Sequence, residues 1–465
     1  MQQLQTMASA QRNAPRWPVF WVAVAVLLCT GQAYAQAPRP NLVLFIADDL
    51  GLVECSPYAR AGGPTPASTP HMQRLAAAGL TFSHAFVASP SCAPNRASLL
   101  TGLHIARHGA INNHDQPRSD VKKWPAYFRE LGYEVVAFGK VAHYKQTIHY
   151  GFDSFNHDGY HDQAWTSAAV QFLRTRSRDN TRPLCLIVGT NWPHVPWPVQ
   201  PEGYDPDTLR LPPTLVDTPA TRRAYARYLT AVTLADQHLG TIYDAAQKHL
   251  DKNTLFVFTS DHGPQLPFSK WNCYDAGVRV PLIAAWPAVI EPGTRTSAMV
   301  SWIDLLPTFV QAAGGQPPRT GAGPEEIDGR SFLPVLHDRS RRHRHLIFTA
   351  HNRDKEMNVY PIRSARSGDW NYIRNLTPEA RHTTHIDKLP DRAEQGAYWP
   401  SWLAAAKTDT RAATLIQRYH TRPAEELYDL IADPFEQKNL AADPAHAQRL
   451  GEMRAALDAW MVEYP

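Results

Sequence analysis

Residues 41–49 read Asn-Leu-Val-Leu-Phe-Ile-Ala-Asp-Asp: an apolar run without alternation from Asn41 to Ala47 that stops on two carboxylates. A strand with one wet face alternates polar and apolar residues. A continuous run of this kind suits a strand buried on both faces, as in a parallel sheet covered by helices. Tyr133 to Phe138, Pro183 to Val188, Thr254 to Thr259 and Pro281 to Ala285 repeat the pattern. Between the second and third of these, Tyr225, Tyr228, Val232, Ala235, Leu239 and Ile242 recur at helical spacing and predict a long helix over roughly 221–250. A shorter helix is predicted to open with Thr69 as N-cap and Pro70 at its first position, and to close at Gly79. Strands alternating with helices predict a doubly wound α/β sheet. Ligands in that architecture bind at the carboxyl ends of the strands, where both Asp48-Asp49 and Asp261-His262 stand.

The chain has 465 residues, too many for one ordinary core, so a large domain and a smaller one are expected. The segment from Gly314 to Gly329 reads as a linker. Beyond it His345 to Ala350, Tyr360 to Ser364 and Trp370 to Ile373 read as shorter strands, and Ala445 to Val462 as a closing helix. The boundaries are set at 36–335 for the large domain and 336–465 for a smaller α+β domain. The net charge of +4 is mild, and no basic run is long enough to suggest nucleic acid. At the start of the chain Arg12 and Arg16 precede an apolar run, Val19 to Cys29, and then Ala33-Tyr34-Ala35. This is the pattern of a secretory signal over residues 1–35, cleaved after Ala35, and its apolar run is short for a membrane span. Leu28 is too bulky for lipidation at Cys29. The mature protein is therefore expected in the periplasm or outside the cell. Of five cysteines, four remain after cleavage: Cys185 reads as a buried strand thiol, and a Cys55–Cys273 bridge is open on sequence grounds.

Adjacent carboxylates after a buried strand need compensation, and a divalent cation is one form of it. Three carboxylates and an imidazole from two strand ends make a metal site conceivable; each pair alone is also how a turn or a helix cap is written. Residues 91–102, Ser-Cys-Ala-Pro-Asn-Arg-Ala-Ser-Leu-Leu-Thr-Gly, narrow the choice. Cys92-x-Pro94-x-Arg96 followed by Leu100-Thr101-Gly102 resembles the sulfatase signature, with Asn95 where most members have serine. The resemblance continues through Gly139-Lys140-Val141-Ala142-His143, Asn191-Trp192-Pro193-His194-Val195-Pro196, Thr259-Ser260-Asp261-His262-Gly263, Lys270, and a C-terminal stretch from Leu427-Tyr428-Asp429 to Asn439-Leu440 that reads as structural.

This resemblance implies an alkaline-phosphatase-like large sheet flanked by helices. It also implies that a maturation enzyme oxidises Cys92 to formylglycine, whose hydrate attacks sulfur with one hydroxyl and releases sulfate by deprotonation of the other. Arg96, Lys140, His143, His194 and Lys270 would be catalytic. Asp48, Asp49, Cys92, Asp261 and His262 would hold the metal, calcium in the family and manganese as the runner-up, because His262 stands where many members have asparagine. Charge growing on sulfate oxygens explains why a metal, lysines and an arginine are wanted together. His194 or Lys270 would protonate the leaving group, and His143 would assist the second proton transfer. Within the family the likeness is to sulfamidase, the heparan N-sulfatase, carried by Asp217-Thr218-Pro219-Ala220, Tyr360-Pro361-Ile362-Arg363-Ser364 and the stretch Glu426 to Ala441. The implied substrate is a sulfated glucosamine at the end of a glycan, with His114, Asp115 and Glu356 facing it. His104 and His108, with no motif around them, read as ordinary surface groups. Two alternatives stand beside the sulfatase reading: a phosphonate or phosphate ester hydrolase of the same superfamily, and a non-catalytic glycan-binding protein on the same fold.

Overall fold

The computed structural model describes residues 39–464 apart from 157–163, 177–181, 288, 322, 324 and 391–395. The secretory-signal pattern therefore lies outside the described residues. The run at 41–47 forms β1 (Asn41–Ala47), buried along its whole length. It is central in an eight-stranded sheet with β2 (Leu80–Phe86), β3 (Glu134–Gly139), β4 (Ser154–Asn156), β5 (Leu184–Gly189), β6 (Thr254–Ser260), β7 (Leu282–Ala285) and β8 (Thr294–Ser301). The order is β4-β3-β5-β1-β6-β7-β2-β8. β1 pairs in parallel with β5 and β6, and β3 in parallel with β5. β7 runs antiparallel to both its neighbours, so the sheet is mixed and not purely parallel. β2 and β8 have no counterpart in the sequence reading. They lie towards one side of the sheet and carry polar residues such as Ser83, His84, Thr294 and Arg295, which break the apolar pattern.

Helices cover both faces, as strand alternation shows. Val135 of β3 is level with Cys185 of β5, and Phe138, three residues on, points to the opposite face. Cys185 meets the indole of Trp124, whereas Phe138 packs on Phe172 of the helix Ala164–Thr175. The long helix spans Pro219–His249, started by Pro219 and by the Thr218 hydroxyl, which accepts the Thr221 N–H. The short helix α1 (Pro70–Ala78) begins at Pro70 as expected, but Thr69 does not cap it. The Thr69 hydroxyl takes the Ser56 N–H, and Asp236 of the long helix accepts from His71 N and Met72 N at 3.0 and 2.7 Å. The cap comes from 165 residues away in the chain, beyond the reach of any local pattern.

A second, antiparallel sheet has the order β12-β11-β10-β9, from β9 (Ile347–Asp354), β10 (Asn358–Ser367), β11 (Trp370–Asn375) and β12 (Glu425–Asp429). The closing helix Ala447–Glu463 buries Met453, Leu457 and Trp460 against Ala365, Tyr372 and Leu427 of this sheet. Ala350 N donates to Ala88 O at 3.1 Å, tying β9 to the segment before Cys92. All four described cysteines are buried free thiols, so Cys55 and Cys273 are not bridged. Among the described residues no helix is long and apolar enough to cross a membrane.

Candidate active site

Register builds the site. Gly139 of β3 and Ile46 of β1 are both level with Gly189 of β5, and Ala47 is level with Ser260 of β6. The ladder runs one step further through Lys140 N to Gly189 O, Thr190 N to Ile46 O and Asp261 N to Ala47 O. Four neighbouring parallel strands therefore release Lys140, the Asn191–His194 loop, Asp48-Asp49 and Asp261-His262 along one sheet edge. Glycine at 139 and 189 is required here. Gly139 has φ +69°, and a Cβ on it or on Gly189 would lie 2.1 or 2.0 Å from a facing carbonyl oxygen.

Cys92 begins the helix α2 (Cys92–Thr101), all ten residues of which are buried, and Gly102 ends it in a left-handed turn. Its Sγ lies 3.3 Å from His262 Nε2, 3.9 Å from Asp48 Oδ1 and 3.9 Å from Lys140 Nζ. Arg96, one turn along, reaches Asp261 Oδ2 at 2.9 Å and Asp48 Oδ1 at 3.3 Å. Lys140 pairs with Asp48 at 2.5 Å, and Lys270 with both Asp49 oxygens at 2.8 Å. His194 Nε2 is 3.9 Å from Asp49, and His143 Nε2 is 2.8 Å from His114 Nδ1.

The electrostatics follow from burial and pairing. Burial alone would raise Asp48, but the charges of Lys140 and Arg96 hold it well below the usual carboxylate range. Asp49 stays raised: burial outweighs the opposing charge of Lys270. The Cys92 thiol is pushed up to about 12 by burial, against the pull of Lys140 and Lys270. His143 and His194 are driven well below the ordinary imidazole range by burial and neighbouring lysines, and are neutral.

These residues fit a divalent cation. Donor atoms of Asp49, Cys92 and His262, and of Asp48, Cys92 and Asp261, lie within 4.8 Å of one another. His262 Nδ1 is 3.0 Å from Gly263 O, which fixes the proton there and leaves the Nε2 lone pair facing the cluster. Three carboxylates against Arg96, Lys140 and Lys270 give a buried set near neutrality. A divalent cation would leave it positive, the condition for taking an anionic substrate.

Ten of the residues singled out in the sequence thus share one cluster, and His114 joins it through His143. Asp115 turns back on its own loop, accepting from Asn112 N and Nδ2, while Glu356 is exposed in the turn after β9. His104 and His108 are not surface groups. Both are buried, which pulls them down to about 4 and about 3, and His108 bonds Ser98 Oγ at 3.0 Å. Sequence reading placed Tyr228 on the buried face of the long helix but gave it no role at the site; its hydroxyl accepts from Gly51 N at 2.9 Å and donates to Asp49 O at 3.2 Å. It missed Asn113 and Asp354. Asn95, singled out only as a departure, accepts from Ala88 N and donates to Asp261 O.

Residues 40–315 match the Sulfatase family, and residues 263–395 match the family N-sulphoglucosamine sulphohydrolase, C-terminal. An ulvan-active sulfatase of Formosa agariphila is 27% identical over 444 residues, covering 92% of this chain and 81% of that protein. The N-sulphoglucosamine sulphohydrolase of Homo sapiens is 28% identical over 489 residues, covering 94% and 93%. A solved phosphonate monoester hydrolase from Silicibacter pomeroyi superposes with a TM-score of 0.68 at 19% identity, over 92% of this chain and 96% of that one, and shares the fold.

Proposed function

The chain belongs to the sulfatase family and is a sulfuric ester hydrolase, and on that premise we propose that it cleaves a sulfate ester or sulfamate on a glucosamine-containing glycan, using formylglycine made from Cys92. The observation that carries the reading is the convergence of Asp48, Asp49, Asp261, His262, Arg96, Lys140 and Lys270 on Cys92. Formylglycine at position 92 would supply, as its hydrate, one hydroxyl for attack and a second whose deprotonation would free sulfate. Asp48, Asp49, Asp261 and His262 would hold a divalent cation, calcium by family and manganese as the alternative, which would supply Lewis-acid stabilisation of sulfate oxygens. Arg96, fixed between Asp48 and Asp261, keeps the nucleophile oriented. Lys140 and Lys270 offer ammonium groups to the non-bridging oxygens, already in place before charge develops. His194 and Lys270 are the donors for the leaving group, and neutral His143 is a proton acceptor.

The glucosamine part of the proposal is supported by the C-terminal family match and the human relative. His114, on the rim of the cluster, is the favoured sugar-facing residue. The Arg12-to-Ala35 pattern supports work outside the cytoplasm, after a maturation enzyme has acted on Cys92. The test is peptide mass spectrometry of Cys92 in protein from its own host, followed by turnover of N-sulfated and O-sulfated glucosamines. Formylglycine with N-sulfate release is the expected result. An active protein carrying only unmodified cysteine would refute the mechanism. A second reading rests on the Asp261-His262 pair, which phosphonate ester hydrolases of the superfamily share; faster turnover of an aryl phosphonate than of an aryl sulfate would favour it.

A further inference from the structure

Asp354, at the last position of β9, lies outside every motif of the sequence yet is linked to the catalytic cluster through His114. Its side chain is buried, 3% exposed. Asn113 Nδ2 and Trp271 Nε1 both donate to Oδ2, at 2.8 and 3.1 Å. Oδ1 faces His114 Nε2 at 3.3 Å. Beyond His114 comes His143, whose Nε2 is 2.8 Å from His114 Nδ1. The remaining nitrogen, His143 Nδ1, is buried with no partner, in a ring close enough to Lys140, Asp48 and Arg96 to feel their charges.

Polarity runs one way along this chain. The Asp354 carboxylate, 3.3 Å from His114 Nε2, favours a proton on that nitrogen, and in the neutral ring this leaves a lone pair at Nδ1. His143 must then carry its proton on Nε2, which leaves the Nδ1 lone pair free. We propose that Asp354 is a positioning residue that sets the tautomer of His143 through His114, so that His143 Nδ1 is held ready to accept a proton from the reacting group. The same carboxylate holds Asn113, whose Oδ1 accepts the Ala93 N–H at 3.1 Å, so one group orients both the base and the start of the nucleophile helix. The catalytic part of this assignment rests on the sulfatase reading above; the tautomer part does not.

Asp354→Asn tests it with almost no change of shape. Because Asn113 and Trp271 both donate to the Oδ2 position, the amide oxygen must stay there and the amide NH2 must face His114. Every proton in the chain then moves to the other nitrogen, and His143 Nδ1 is blocked. The direct readout is nitrogen-15 NMR of the full, metal-loaded protein labelled at histidine, with the His143 signal assigned by its loss in His143→Gln. The Nε2–H form is expected in the parent and the Nδ1–H form in Asp354→Asn. Turnover of an aryl sulfate should fall about 100-fold in kcat, the scale of a lost general base, with little change in KM. In a His114→Ala background Asp354→Asn should cost little more, since the connection is already cut. If Asp354→Asn does not fold, His114→Ala alone must show the kcat loss. An unchanged His143 tautomer, or kcat within twofold of the parent, would overturn the proposal. A formylglycine-bearing parent that turned over no sulfate ester would refute the functional reading, and the NMR result would still decide the role of Asp354.

Discussion

Glu54 lies behind the Asp48-Asp49 turn, fully buried, and only one of its oxygens has a partner. Tyr225 donates to Oε1 at 3.1 Å and Oε2 has none. Burial lifts its pKa from 4.5 to about 7, and the Tyr225 bond only partly opposes this. The folded-state value is above the unfolded one, so the unfolded chain gives up this proton first as pH rises. Stability is therefore lost across the window from about 4.5 to about 7, and the loss is complete above it. A shift of that size corresponds to about 3 kcal/mol above pH 7 and about 1 kcal/mol at pH 5. Glu54→Gln cannot ionise, keeps an acceptor for Tyr225, and leaves one unpaired polar atom at every pH, as protonated Glu54 does. The variant should thus gain about 2 kcal/mol more, relative to the parent, at pH 8 than at pH 5. In a chain of this length that is a relative rise in melting temperature of about 2–3 °C. Thermal unfolding of both proteins at the two pH values measures it. A stability difference between variant and parent that does not change with pH would show that Glu54 is not neutralised by burial and refute the reasoning.

Asp304 carries the opposite sign. Burial would raise it, but Arg344 and His343 hold it well below the carboxylate range, so its contribution is present above the ordinary Asp pKa and fades as pH falls through the depressed value. Asp304→Asn should cost about 3–5 kcal/mol at pH 7 in denaturant titration, and the gap to the parent should narrow in acid. Tyr228→Phe leaves the Gly51 N–H buried without an acceptor, so about 1–3 kcal/mol of stability should go; kcat on an aryl sulfate should fall with it, because Asp49 loses its backbone anchor. Chelation should abolish turnover and added calcium or manganese restore it. His262→Asn should lower the ratio of manganese-supported to calcium-supported activity, since imidazole suits transition metals better than it suits calcium.

The sequence by itself determined the buried strands and the residues at their ends. A run such as Asn41–Ala47, apolar without alternation, suits a strand covered on both faces, and Asp48-Asp49 and Asp261-His262 follow such runs where a parallel sheet binds its ligands. The Cys92 motif and the long helix, read over roughly 221–250 and found at Pro219–His249, were equally legible, because both are local patterns of residue type and spacing. Tertiary structure decided everything that depends on which distant segment lies alongside. The reversed direction of β7, the cap that Asp236 lends to α1, and the burial of His104 and His108 have no local signal. The same is true of Tyr228 under the Asp49 turn and of Asp354, which is joined to Asn113 across 241 residues. A side chain of ordinary type acquires a role when folding brings it to a particular partner at hydrogen-bonding distance, and that distance is set by the packing of the whole sheet and its helices, not by neighbours in the chain.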